Sequence, residues 1–390
     1  MLLFLHFSPV TAGYLSPENR IRENEVGMMR RVILILAAVL CLLGGQARAE
    51  DASPEIPPEL RQAAPEAAEL VTGDAGEGFG LLPGIRSLLE EALESGETFL
   101  TSGIRSAAAI MAGVILLGVV ESAAPAGGEL LGRYGSAVGA LWVTAMAAGD
   151  LNALIGLGRE TIAEISLLGK ALLPALAAAE AASGGITAAS VRQVAAVFFS
   201  GILLALIERV LLPAVYLYIG VAAAAAVVEG EALERIGELL KKAVGWVLGG
   251  LLAAFVAYLT ISGAVAGAAD AHAVKLAKSA VSAAVPVVGG ILSDAAESVL
   301  AGAGLLRGMV GTVGTLALLG ACLTPFLHLG CQYLFYQAAS LVSAAAGPKK
   351  LTKLIAMLGD AFALVLAMTG TSAVLLLISL LSSMTALVPG

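Results

Sequence analysis

The chain has 390 residues, of which 58% are AVILMFWYC and only 13% are charged, with a formal net charge of −8. Soluble domains carry about 25% charged residues, so this composition excludes a soluble globular protein and demands a helical, polytopic membrane protein. No basic patch suggests nucleic acid as a partner.

Residues 1–27 precede Met28 and Met29 and read as an extension ahead of the true start. Residues 28–49 read as a signal peptide. Met29-Arg30-Arg31 is its basic end, VILILAAVLCLLGG its apolar stretch, and Ala47-Arg48-Ala49 its small-residue cleavage site. The alternative is that 32–45 stays as a membrane anchor. Residues 50–104 form an acidic, extracytoplasmic region. Pro, Ala and Glu dominate 50–80, which is expected to be extended and solvated. A short amphipathic helix is expected over 81–100.

Residues 105–390 form the polytopic domain. Spans are expected at 106–120 and at 136–149, the second ending on Asp150 and Asn152. Residues 159–180 carry Arg159, Glu160, Glu164 and Lys170 and read as an interfacial or re-entrant helix. Spans at 193–207 and 211–228 follow, divided by Glu208-Arg209 and Pro213, which read as a loop. An amphipathic stretch at 229–243 is placed on a membrane surface, and 244–265 is a further span. No formal charge lies between Arg307 and Lys349. One helix of that length would be ~60 Å long, twice a bilayer core. A fold-back at Pro325 is therefore expected. Ala361 to Gly390 makes a last, tilted span. The total is about seven or eight spans.

The basic loop GPKKLTK (347–353) is assigned to the cytoplasm. Counting back puts the mature N-terminus outside, as a cleaved signal requires. Pro174 and Pro213 are separated by the same interval as Pro286 and Pro325. That is a faint internal echo, with poor side-chain identity.

Catalytic, cofactor and metal motifs are not found: no phosphate loop, no H-E-x-x-H, no G-x-S-x-G, no cysteine cluster. Cys322 and Cys331 lie in apolar sequence and read as small buried hydrophobes. His272 and His328 have no metal-ligand spacing. No enzymatic activity is expected.

The stretch from Ile261 to Ala295 is the most informative. Gly263-x-x-x-Gly267 permits close helix contact in lipid. Asp270, Lys275 and Lys278 are expected on a polar face with His272, Ser279 and Ser282, and Ala273, Leu276, Ala277, Val281 and Val285 on an apolar one. An amphipathic helix over 270–285 follows. Pro286 ends it, and Gly289-Gly290 release the backbone. GGILSDAAESVL then restarts a helix. Ser293 or Asp294 would cap it, and Asp294 with Glu297 would complement its positive end. Two readings stay open for this helix–break–helix element. At membrane depth it marks a pathway or a partner contact; at the surface it is a solvated helix and a turn. The glycines of GMVGTVG (308–314) permit tight helix packing or line a pore.

The order Asp270, Lys275-x-x-Lys278, VPVVGGILSDA (285–295), LLRGMVGTVGT (305–315) and Pro325 resembles the stage III sporulation protein AE family. The pattern of signal peptide, acidic N-terminal region and apolar remainder is similar over nearly the whole mature chain. The resemblance implies a role in endospore formation, in the mother-cell membrane around the forespore. It implies partners: other stage III A proteins, including a cytoplasmic ATPase and ring-forming subunits, and a forespore membrane protein. It carries over no catalytic residues and no cofactor. Two expectations follow. Either 285–295 lines or gates a path, with Asp270, Lys275 and Lys278 at its cytoplasmic mouth, or the chain is a platform on which partners dock. A stand-alone transporter is the third.

Overall fold

A computed structural model describes residues 81–123, 129–228, 231–284 and 289–385. The extension at 1–27, the signal peptide at 28–49, the acidic stretch at 50–80 and Pro286 lie outside the described residues. Seven α-helices and one π turn follow in order: α1 Leu81–Ala123, α2 Glu129–Ala182, α3 Ile186–Leu206, the π turn Ile207–Leu211, α4 Leu212–Val227, α5 Glu231–Ala284, α6 Gly289–Ala346 and α7 Lys349–Thr385. Among the described residues there is no strand. Helices α3 and α4 run on through the π turn, so the described residues form six helical rods long and apolar enough to cross a membrane.

Large apolar side chains explain the arrangement. Leu354, Phe362, Val365, Met368 and Leu376 of α7 are buried, and α7 is the most deeply buried of the six rods. The other rods turn Leu141, Phe198, Trp246 and Val265 outward, with Trp246 84% exposed. A surface this apolar is unsuited to water and suited to lipid. Small residues bring the rods close. Gly158 of α2 lies against Val365, and Gly311 of α6 lies against Met384, where a Cβ has no room. Gly314 sits 3.1 Å from Leu172 by the same measure. Two glycines of the 308–314 motif therefore pack against neighbouring helices.

The α2–α3 turn follows from Ser183-Gly184-Gly185. Gly184 adopts φ 94°, a conformation open to glycine at little cost. That lets the Gly185 N–H reach back to the Glu180 carbonyl at 3.1 Å, closing the helix end.

Several sequence expectations are corrected. Pro325 does not turn the chain: it lies inside α6, which runs unbroken from Gly289 to Ala346. A proline removes one backbone hydrogen bond, and neighbouring helices can hold a rod through that loss. Glu208 and Arg209 are not a loop but sit in the π turn. Its cause is Pro213, which lacks an N–H and would crowd the Arg209 carbonyl in an ordinary helix; the wider turn relieves the clash. The Leu212 N–H bonds instead to Ile207 O, five residues back. Residues 159–180 are not a separate interfacial helix, and 231–243 and 270–284, the described parts of two expected amphipathic helices, are not detached; they are parts of α2 and α5. Of the element expected to break near 285–295, residues 285–288 lie outside the described residues, and 289–295 form the first turns of α6.

Candidate functional site

Polar side chains gather at two levels of this apolar bundle. The first lies near the end that carries the 347–353 loop. Asp150 of α2 accepts hydrogen bonds at one carboxylate oxygen, Oδ2, from Ser106 Oγ of α1, from Gln332 Nε2 of α6 at 3.0 Å and from Tyr336 OH of α6 at 3.1 Å. Asp360 of α7 is 8% exposed. It accepts from Gln337 Nε2 at 3.1 Å and Tyr218 OH at 3.4 Å, and Lys241 Nζ stands 3.0 Å from its Oδ2. Four helices thus meet at Asp360, and three at Asp150.

Helix α6 joins the two carboxylates. Tyr336 serves Asp150, and the next residue, Gln337, serves Asp360. Tyr336 is fully buried and packs edge-on against Phe362, two residues beyond Asp360, at 5.0 Å between ring centroids. Gly359 makes room, since a Cβ there would stand 3.1 Å from Tyr336 Cβ. Close by, His328 stacks on Phe99 at 5.0 Å. Charge-assisted hydrogen bonds of this kind are worth about 1.5–3 kcal/mol each. They offset the desolvation that a carboxylate suffers in an apolar interior.

The second level lies toward the other end. Glu180 and Arg192 form an ion pair across the α2–α3 turn; Glu180 is 1% exposed and Arg192 9%. Arg192 Nε also donates to Glu180 Oε2 at 3.3 Å. Helix α3 opens on Gly185, which offers no side-chain cap. Asp270 of α5 supplies one instead, accepting from the N–H groups of Thr187 at 3.0 Å and Ala188 at 2.8 Å. Gly263 of α5 faces Arg192, with 3.8 Å between its ideal Cβ and Nη1. Arg307 Nη2 donates to the Met384 carbonyl at the end of α7, at 3.0 Å.

Of the residues that the sequence singled out, Asp270 is therefore a built contact between α5 and α3. Lys275 is exposed, as are His272 and Ala273. Leu276, assigned to the buried face, is 69% exposed. The side chains of Lys278, Gly289, Gly290, Ser293 and Asp294 lie outside the described residues. By backbone, Gly289 opens α6, so Ser293 and Asp294 stand inside the helix and not ahead of it as caps. Pro325 is half-buried within α6. Asp270 also stands about 54 Å along α5 from Glu234, which pairs with Lys353 near the start of α7. Because α6 does not fold back, the 270–278 stretch and the basic loop occupy opposite ends of the bundle. They cannot share one cytoplasmic face.

Sequence reasoning missed Asp150, Asp360, Glu180 and Arg192. The available signal was an ionisable residue inside an apolar run; Asp150 was instead read as the end of a span.

Residues 90–386 match the family model described as stage III sporulation protein AE. The stage III sporulation protein AE of Bacillus subtilis (strain 168) is 24% identical over 208 residues, covering 53% of this chain and 52% of that protein. The match thus spans about half the length of that curated relative. No solved structure matches.

Proposed function

We propose, from the premise that this chain belongs to the stage III sporulation protein AE family, that it is a permease-like membrane subunit of a multi-protein sporulation assembly. Its partners in this reading are other stage III A proteins, among them a cytoplasmic ATPase and ring-forming subunits, and a forespore membrane protein. It sits in the mother-cell membrane and carries out no catalytic step of its own.

One observation carries the permease-like reading. Asp150 and Asp360 both lie within rods apolar enough to cross a membrane, and both are held by side chains of the same helix, α6. Ionisable groups kept in such surroundings mark solute or ion pathways by default. Leucine would have filled the same space without desolvation.

The positive-inside rule assigns the 347–353 loop to the cytoplasm. Val114, in the second half of α1, touches Gly347 beside that loop. Helix α1 then enters from the outer face, in keeping with a leader cleaved outside.

A second reading, the docking platform, draws on helix length. Helices α2 and α5 have 54 residues each, about 81 Å of helix against a hydrocarbon core of roughly 30 Å. The excess offers surface for partners.

Sporulation separates the two. In a spore-forming host lacking its own family member, the wild-type chain should restore spores. Asp150→Asn and Asp360→Asn should each lower spore yield at least about tenfold, with the variant still in the membrane and still retaining its partners. Loss of partners would instead favour the platform. Wild-type sporulation by both variants would refute the permease-like reading.

A further inference from the structure

Arg159 and Glu208 stand near the middle of two apolar rods, α2 and the α3–π turn–α4 rod. Both side chains are exposed, and among the described residues neither makes an ion pair or a side-chain hydrogen bond. Yet both line one half-open cleft of about 280 Å³. Asn152 and Tyr216 add an amide and a phenol to its wall. Ile155 and Leu212, both buried, form an apolar floor. Gly156 leaves the recess open, since a Cβ there would meet nothing within 4 Å.

The π turn helps to make this site. The extra residue forced by Pro213 brings Glu208 onto the cleft wall beside α2. Two opposite charges share the recess without neutralising one another. Unpaired charges at membrane depth need a polar occupant or water. A simple cation would satisfy only Glu208, and a simple anion only Arg159. A molecule carrying both charges satisfies the two together. The volume lies just below the 300–1,000 Å³ typical of small-molecule pockets, which limits the occupant to a few heavy atoms beyond its charged groups.

We infer that this cleft binds a zwitterionic small molecule of amino-acid size. Its carboxylate lies on the Arg159 guanidinium, its ammonium group against Glu208, and its side chain over Ile155 and Leu212. Asn152 and Tyr216 supply further hydrogen bonds. The inference rests on the permease-like reading and names its solute class.

The test uses the full chain purified into lipid nanodiscs, titrated calorimetrically with each of the twenty protein amino acids in turn. At least one should bind. Its amide and its N-acetyl derivative, each with one charge removed, should bind at least about tenfold more weakly. Arg159→Gln and Glu208→Gln should each weaken binding by a similar factor. Gly156→Leu should block the cleft while leaving both charges in place, which guards against a charge variant that fails to fold. Helicity and elution volume serve as fold controls.

The inference is overturned if no amino acid binds, or if binding survives all three substitutions. It is also overturned if a cysteine at Asn152 crosslinks to another protein's membrane helix in sporulating cells, making the cleft a docking groove. Any of these results leaves the sporulation test of Asp150 and Asp360 standing, so the two failures are distinguishable.

Discussion

Asp360 is held from three sides, by Lys241, Tyr218 and Gln337, and removal of its buried carboxylate breaks the ion pair and both hydrogen bonds at once. Asp360→Ala should therefore cost about 3–5 kcal/mol of stability. Lys241→Met should cost less, because two hydrogen-bond donors remain on the carboxylate. Thermal unfolding in detergent, compared between the two variants, reads the difference. Asp270 acts on a smaller scale, as a cap supplied from another helix. Asp270→Ala should cost about 1 kcal/mol. The loss should appear locally, as faster hydrogen exchange at the Thr187 and Ala188 amides with little change elsewhere.

These residues were unevenly legible. Asp270 could be singled out because it interrupts an apolar stretch, but its target lies over 80 positions away, at 82 and 83 residues. Asp150 is further still from Gln332 and Tyr336, at 182 and 186 residues. A charge at the edge of an apolar run looks the same whether it ends a span or is caged inside one. Only tertiary packing distinguishes the two.

Among the elements, prolines decided where the sequence reading held and where it failed. Helical character throughout followed from composition and from apolar runs too long for strands. Span boundaries did not follow, because Pro213 and Pro325 read as breaks in the sequence. Pro174 and Pro325 lie inside continuous helices, while Pro213 is absorbed by a π turn. Pro325→Ala should restore a backbone hydrogen bond to α6 and raise the melting temperature in detergent, a gain of up to about 3 kcal/mol. A fall in melting temperature would point to a turn at Pro325. Pro213→Ala should behave differently. Loss of the π turn removes one residue of winding and rotates α4 by about 100°, carrying Tyr218 away from Asp360. Sporulation should suffer from Pro213→Ala and not from Pro325→Ala.

At the scale of the molecule, the six rods of the described residues place two polar levels toward opposite ends of one apolar bundle. The end bearing Lys349, Lys350 and Lys353 lies beside the Asp150 and Asp360 clusters. The other bears Asp270 and the Glu180–Arg192 pair. The two ends were partly legible, since Lys349, Lys350 and Lys353 stand out in the sequence as one basic cluster. The fold-back expected at Pro325 placed the 270–278 stretch at the same end of the bundle as the basic residues 349–353, because apolar length alone cannot show whether a long helix doubles back or continues beyond the lipid.

The most direct test places single cysteines at His272 and at Lys349, both exposed, in a chain whose Cys322 and Cys331 have been replaced. Intact cells are treated with a membrane-impermeant thiol reagent, then permeabilised and treated again. The residue at 272 should be labelled in intact cells, and the residue at 349 only after permeabilisation. Labelling of both positions from the same side would contradict the six-rod bundle and restore the chain reversal at Pro325.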